Sequence, residues 1–148
     1  MIPDFDENGN LPVGVHFCEW EEFVERFGYT VQRQRMITGL ELAMKQLQEA
    51  GCRTIYINGS FVTREPDPND FDACWDTEEV DMDYLRKNAL PIFTSYNSQA
   101  QKSKYRGELY RSDEPVGDLG LNSFDFFQRD RMQNRKGIIA IDLMRWES

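Results

Sequence analysis

The sequence has one histidine, three scattered cysteines and no long apolar run. His16 alone cannot supply the several histidines that many zinc sites use. Cys18, Cys52 and Cys74 form no CxxC pair, and their odd number indicates reduced thiols in a cytoplasmic protein. The longest aliphatic run, residues 138–141, is far shorter than the roughly 18 residues that a membrane span needs. We therefore expect no membrane partner.

Basic residues are also scarce, with 17 against 26 acidic residues and a net charge of −9. Residues 1–85 carry 18 acids and 6 bases, and residues 65–83 carry nine acids and no base. Such a balance excludes a general DNA-binding protein, which presents a basic surface. An acidic run is typical of a solvated loop and helix face. The N-terminus has acids where a signal peptide has basic residues.

The apolar content is nevertheless 40%, enough to bury a core, and 148 residues fit one domain, residues 1–148, with an extended lead-in at 1–17. Hydrophobic periodicity and turn residues predict the elements along the chain. They are helices 20–27 and 31–50, strands 53–58 and 70–75, a helix 78–89 capped by Asp76 or Thr77 and stopped by Pro91, a weakly helical segment 94–104, strand 104–111, a loop 112–120, an aromatic turn 122–129 and strand 137–145. This order predicts an α+β (mixed α/β) fold with a small mixed sheet flanked by helices.

Gly59 and Ser60 follow the first predicted strand directly. A glycine at the end of a strand lets the backbone approach a ligand closely. The next residues can begin a helical turn, whose free N–H groups suit a phosphate, and the Ser60 hydroxyl is a further donor. The pair therefore indicates a phosphate-binding turn.

Asp70 and Asp72 are two residues apart in the second predicted strand, so both carboxylates lie on one face of it. Two like charges held side by side are costly unless a cation neutralises them. Because the ligands are oxygens, Mg²⁺ or Mn²⁺ is favoured over zinc or copper.

The succession of hydrophobic strand, Gly-Ser, turn-rich loop and Asp-hydrophobic-Asp in residues 57–75 resembles the signature of minimal nucleotidyltransferases of the DNA polymerase beta superfamily. The form GSFVT with PNDFD also resembles a group of short bacterial relatives, over most of the chain from Leu11 to Ile139. Two departures are visible. The loop is about one residue shorter than that family's common spacing, and Val62-Thr63-Arg64 replaces the usual Ala-Arg-Gly.

The resemblance implies a transferase that moves a nucleoside monophosphate from an NTP, such as ATP, to a hydroxyl of a protein, an RNA or a small molecule. It implies that the nucleotide is held by Gly59, Ser60, Thr63 and Arg64. It also implies that Asp70 and Asp72 bind Mg²⁺ or Mn²⁺ together with a third carboxylate on a later strand. Glu108, favoured by its spacing, and Asp142 both match that third position.

Relatives of this size resemble antitoxins or phage-defence components that work beside a toxin, which implies a protein partner or an RNA acceptor. A second hypothesis is a catalytically silent module that keeps the fold and acts as an antitoxin or regulator, and the shortened loop favours it. A third is an acidic DNA mimic that uses the negative first half of the chain. Acids that converge rather than spread over a surface would argue against the DNA mimic.

Overall fold

The computed structural model describes residues 1–94, 97–117, 120–130 and 132–147. Its helices are α1 (Trp20–Phe27), α2 (Val31–Glu49), α3 (Met82–Asn88), α4 (Leu90–Phe93), α5 (Ser98–Tyr105) and α6 (Ser123–Phe126). Its strands are β1 (Val15–Phe17), β2 (Thr54–Asn58), β3 (Phe71–Trp75), β4 (Gly107–Arg111), β5 (Pro115–Val116), β6 (Leu121–Asn122) and β7 (Ile138–Asp142). A short 3-10 helix, Gly59–Val62, follows β2 directly. The content confirms the predicted α+β class.

Helices α1 and α2 form where the apolar period of the sequence predicts them. Trp20, Phe23 and Phe27 recur at helical spacing and are buried along one face of α1. Helix α2 begins after Thr30, whose side chain accepts a hydrogen bond from the Arg33 N–H at 3.1 Å. Both predicted helices are confirmed to within a residue of their ends.

Five strands form the main sheet in the order β1-β7-β2-β3-β4. β7 and β3 each run antiparallel to β2, while β1 is parallel to β7 and β4 is parallel to β3. Strand β1 lies inside the segment predicted as an extended lead-in. Its three residues are too few to show a period, and its pairing partner is more than a hundred residues away along the chain.

The two faces of the sheet are covered differently. One face carries the hydrophobic core, in which strand residues such as Ile57 and Ala73 pack with α1 and α2. The opposite face is covered by the segment from β5 to Phe127, the residue that follows α6. There Phe124 packs edge-on against Tyr56, with ring centroids 4.8 Å apart, and Phe127 packs against Tyr110 at 5.1 Å. Asp72 projects to this second face because it alternates with Ala73 along β3.

The predicted helix 78–89 ends within a residue of its predicted end, but its start is wrong. Asp81, not Asp76 or Thr77, caps α3 by accepting a hydrogen bond from the Tyr84 N–H at 3.1 Å. The Asp81 N–H donates to the Ala50 carbonyl at 2.8 Å, so a tertiary contact holds the preceding residues out of the helix. Pro91 does not end a helix but lies in the first turn of α4, where proline is tolerated.

The predicted segment 94–104 becomes α5 from Ser98 onward, and its residues 95 and 96 lie outside the described residues. The predicted loop 112–120 contains β5, and its residues 118 and 119 are also outside the described residues. Within the described ranges, no helix combines the length and apolar character that crossing a membrane requires. Cys18, Cys52 and Cys74 are free thiols.

Candidate functional site

The turn after β2 lies directly against Asp72. Gly59 has φ +76°, a conformation that side chains other than glycine rarely adopt. A Cβ built on Gly59 would lie 2.5 Å from Asp72 Oδ2 and 3.3 Å from Asp72 Cβ and Cγ. Both the backbone conformation and the space therefore require glycine here. The structure thus brings the predicted Gly-Ser turn and the predicted Asp-x-Asp strand together.

Register places Glu108 beside Asp72. Asp72 is paired with Asn58 on β2 and with Glu108 on β4, so the three residues form a row across neighbouring strands. Paired residues project to the same face of a sheet. Asp70 immediately precedes β3, and its carboxylate shares an ion-pair partner, Lys102, with Glu108. Asp70, Asp72 and Glu108 are named the acidic cluster below. The acidic cluster lies at the end of the sheet where β2 ends in the Gly59 turn and where β3 and β4 begin.

Lys102 of α5 bridges two members of the acidic cluster. Its Nζ lies 3.3 Å from Asp70 Oδ2 and 3.1 Å from Glu108 Oε1. Helix α5 leads directly into β4, which carries the lysine to this edge of the sheet. The other Glu108 carboxylate oxygen accepts a hydrogen bond from the Tyr110 hydroxyl. The ammonium thus lies between the carboxylates of Asp70 and Glu108 and partly neutralises both.

Asp72 is the most perturbed member of the cluster. Burial, together with the negative charges of Asp70 and Glu108, raises its pKa to about 7. Lys136 and Lys102 oppose this shift. A cation placed at the cluster would favour the ionised carboxylate, so cation binding and proton release at Asp72 are linked.

The acidic cluster has the ligand types of a divalent-cation site, but its side chains are not arranged to hold a cation. Its donors are all carboxylate oxygens, as Mg²⁺ and Mn²⁺ prefer. Nevertheless, within the described part of the chain no three or more His, Cys, Asp or Glu side chains are arranged so that they could hold a metal ion. Lys102 is placed between Asp70 and Glu108 instead. A divalent cation would have to displace that ammonium.

Asp142 is not brought to the acidic cluster. It is paired with Thr54, four residues along β2 from Asn58 and therefore about 13 Å away at the strand rise of ~3.3 Å per residue. Its Oδ1 accepts a hydrogen bond from the Met144 N–H at 2.9 Å, which shapes the turn after β7. Of the two candidates for the third carboxylate, the structure places Glu108 beside the pair and Asp142 elsewhere.

The structure places the three polar residues assigned to the nucleotide differently. Ser60 is exposed in the turn beside Gly59. The Thr63 hydroxyl donates to the Ser60 carbonyl at 2.7 Å and so stabilises the turn. The Arg64 guanidinium lies over the Phe5 ring, 5.8 Å from its centroid, and its Nη2 donates to a carbonyl of the lead-in. Arg64 therefore packs on the lead-in and is not directed at the acidic cluster.

Arg33 supports the turn and was missed by the sequence analysis. It is fully buried, and its guanidinium donates to the carbonyl oxygens of four residues, Phe27, Phe61, Thr63 and Glu65. These bonds fix the chain on both sides of Thr63. The sequence did indicate that Arg33 is buried, because position 33 falls on the apolar stripe of α2 with Met36 and Ile37.

Two further polar residues near the acidic cluster were missed. Asn58, the last residue of β2, is fully buried, and among the described residues neither its Nδ2 nor its Oδ1 has a hydrogen-bond partner. Lys136 precedes β7, is half-buried and acts electrostatically on Asp72. The sequence did not indicate a role for either residue, since Asn58 ends an ordinary strand pattern and Lys136 lies in a polar segment.

Comparison with known proteins gives a family and no activity. No curated protein and no solved structure matches the chain. Residues 3–142 match DUF6932, described as a family of unknown function. The matched range includes the Gly59 turn, the whole acidic cluster and β7. The chain therefore belongs to the DUF6932 family.

Proposed function

We propose that the protein is a metal-dependent nucleotidyltransferase that transfers a nucleoside monophosphate from an NTP to a hydroxyl. One observation carries the proposal: the Gly59 turn is packed so closely on Asp72 that no Cβ fits, and Glu108 is beside Asp72 in register. A bound phosphate at the turn would thus lie next to three carboxylates. The arrangement is also the one that the resemblance of residues 57–75 implies.

Each part of the site has a role in this proposal. Asp70, Asp72 and Glu108 would hold Mg²⁺ or Mn²⁺, which neutralises phosphate charge and lowers the pKa of the attacking hydroxyl. Gly59 lets the backbone approach the phosphates, and the Ser60 hydroxyl donates to a phosphate oxygen. The acceptor hydroxyl would lose its proton to a carboxylate of the acidic cluster, and its oxygen would bond to the α-phosphorus. The bond from the α-phosphorus to the bridging oxygen would break, and pyrophosphate would leave.

Lys102 has two states in this proposal. Without a divalent cation its ammonium bridges Asp70 and Glu108, as the structure has it. When a divalent cation takes that position, like-charge repulsion drives the ammonium away from the carboxylates. The lysine side chain is 46% exposed, so it can leave without disturbing the core.

A catalytically silent module, acting as an antitoxin or regulator through a partner protein, is the second candidate. It is favoured by the same Lys102 bridge, because an internal cation can stabilise the acidic cluster permanently. The two candidates differ in one measurable property, since only the enzyme must bind a divalent cation. The convergence of the cluster supports either candidate over an acidic DNA mimic, which needs a spread acidic surface.

The deciding experiment has two stages. Calorimetric titration with Mn²⁺ of the wild type and the Asp70→Asn, Asp72→Asn double variant should show binding that the double variant loses. The wild type is then incubated with Mg²⁺, a cell lysate and each NTP labelled at the α-phosphate. Label should appear in protein, RNA or a small molecule with the wild type and not with the double variant. Absence of Mn²⁺ binding by the wild type would favour the silent module.

A further inference from the structure

Asn58 is a buried amide that the fold leaves unsatisfied. The residue is 0% exposed, and no partner for its Nδ2 or Oδ1 lies within hydrogen-bond distance in the described structure. Burying an amide without partners costs roughly 1–3 kcal/mol by protein mutational data. Such groups in folded proteins call for an explanation, and a bound ligand is one.

Its position ties Asn58 to the acidic cluster. Asn58 and Asp72 are directly paired between β2 and β3, so their side chains project to the same face of the sheet. Gly59, the next residue, packs on the Asp72 carboxylate. The unpartnered amide therefore lies on the β2 side of Asp72, while Lys102 and Glu108 lie on the β4 side.

Lys136 brings a cation to the same side. The pairing of Ile57 with Ile139 places Ile138 beside Asn58, and Lys136 is two residues earlier in the same chain direction. The lysine is half-buried, and no described carboxylate lies within ion-pair distance of its ammonium. Asp72 and Asp130 are the acids that act on it electrostatically.

The two sides of Asp72 therefore suit different chemical groups. The β4 side offers carboxylate oxygens, which take cations. The β2 side offers the Asn58 Nδ2–H donors and the Lys136 ammonium, which take anionic oxygens. A phosphate chain that carries a divalent cation presents both a cation and anionic oxygens. Arg64, which the sequence analysis assigned to the nucleotide, cannot fill this role while it packs on Phe5.

We infer that Asn58 and Lys136 form a subsite that contacts the phosphate oxygens of a metal-bound nucleoside triphosphate. The inference rests on the proposed function and adds two residues that the Gly-Ser turn and the carboxylates do not include. In this arrangement the Asn58 Nδ2 gains the hydrogen-bond acceptor that it lacks in the free protein.

The test uses variants that remove donors and keep volume. Asn58→Leu removes the amide, Lys136→Met removes the ammonium and keeps the apolar stem, and Arg135→Met is the control, since it removes a neighbouring exposed positive charge. Two probes are titrated by calorimetry: magnesium tripolyphosphate, which has no base, and each Mg²⁺–NTP. Mn²⁺ alone is titrated separately, and unfolding in urea is measured for every variant.

We expect Asn58→Leu and Lys136→Met each to weaken tripolyphosphate and NTP binding about tenfold to a hundredfold, as loss of a charge-assisted hydrogen bond does. Arg135→Met should bind as the wild type does. Asn58→Leu should be at least as stable as the wild type, because it removes an unpaired buried amide. Lys136→Met should bind Mn²⁺ as tightly as the wild type or more tightly, because it removes a like charge.

The outcomes separate the subsite from the proposed function. Wild-type binding of the phosphate probes that persists unchanged in both variants overturns the subsite and leaves the nucleotidyltransferase proposal standing. Equal loss of Mn²⁺ and phosphate binding in both variants also overturns it, since that pattern means general disruption. A wild type that binds neither probe at millimolar concentration with Mg²⁺ overturns both proposals.

Discussion

Replacing Gly59 with alanine tests the contact between the turn and Asp72. At φ +76° an alanine is strained, at a cost of about 1–2 kcal/mol. Its Cβ would also lie 2.5 Å from Asp72 Oδ2, where real contacts stay above 3.0 Å, so the carboxylate must move by at least about 0.5 Å. Asp72 is short and on a central strand, so this overpacking adds about 1–3 kcal/mol.

Gly120→Ala is the matched control. Gly120 has φ +71°, nearly the value at Gly59, but an added Cβ would meet no atom of the described residues within 4 Å. Its replacement should therefore cost only the backbone strain of about 1–2 kcal/mol. The difference between the two variants in free energy of unfolding, measured with urea, isolates the contact with Asp72. Gly59→Ala should remain folded, since small domains have about 5–15 kcal/mol of stability.

The same displacement should weaken cation binding. Metal ligands need positions held within about 0.5 Å, and loss of supporting contacts costs roughly tenfold or more in affinity. We therefore expect Gly59→Ala to bind Mn²⁺ at least about tenfold more weakly than Gly120→Ala, measured by calorimetry. Equal unfolding free energies and equal Mn²⁺ affinities in the two variants would refute the packing of Gly59 on Asp72 as the basis of the site.

Three further results are expected. The pKa of Asp72 is about 7 in the folded protein and 3.8 in a model peptide, so the folded state keeps the proton up to a higher pH. The free energy of unfolding without metal should therefore fall as the pH rises from about 4 to 7, by no more than about 4 kcal/mol. The Asp72→Asn variant should lack this fall in urea titrations. A wild type with the same pH profile as the variant would contradict the burial of that charge. Lys102→Met should bind Mn²⁺ several-fold more tightly than the wild type, because the competing ammonium is gone, whereas Lys104→Met on the exposed side of α5 should not; equal affinities would exclude competition. Arg33→Met should lower the free energy of unfolding by at least about 3 kcal/mol, since several buried carbonyls lose their donor. The control Arg35→Met, at an exposed position, should change the free energy of unfolding little. Similar losses in both variants would show that the Arg33 hydrogen bonds do not stabilise the fold.

Local patterns predicted the elements that position the site. Helix α2 and strands β2 and β3 have clear apolar periods, so their existence and limits follow from nearby residues. Strand β1 and the start of α3 do not. The first exists because β7 pairs with it, and the second is set by the hydrogen bond from Asp81 to Ala50. Contacts between distant segments decided both.

The candidate site likewise contains residues that local patterns predicted and residues whose positions depended on distant contacts. Gly59, Asp70 and Asp72 lie within fourteen residues of one another, and the alternation of a strand sufficed to place both carboxylates on one face. The choice between Glu108 and Asp142 depended on the register of β4 and β7, which no local pattern contains. The packing of Arg64 could not be predicted for a similar reason, since its partner Phe5 is in the lead-in, far away along the chain.

The charges of the site could not be read from the charge of the chain. The net charge of −9 suggests an acidic surface, yet Lys102 of α5 and Lys136 before β7 act electrostatically on Asp72. Both come from the second half of the chain, where bases exceed acids. Folding therefore brings the basic half to the carboxylates of the acidic half, and the acidic cluster is partly neutralised without any ligand. A triphosphate arrives with the divalent cations that neutralise it, so it can replace the Lys102 bridge with little change in the net charge of the site. A lone divalent cation must compete with both ammonium groups, and we therefore expect Mn²⁺ and a triphosphate to bind each more tightly in the presence of the other.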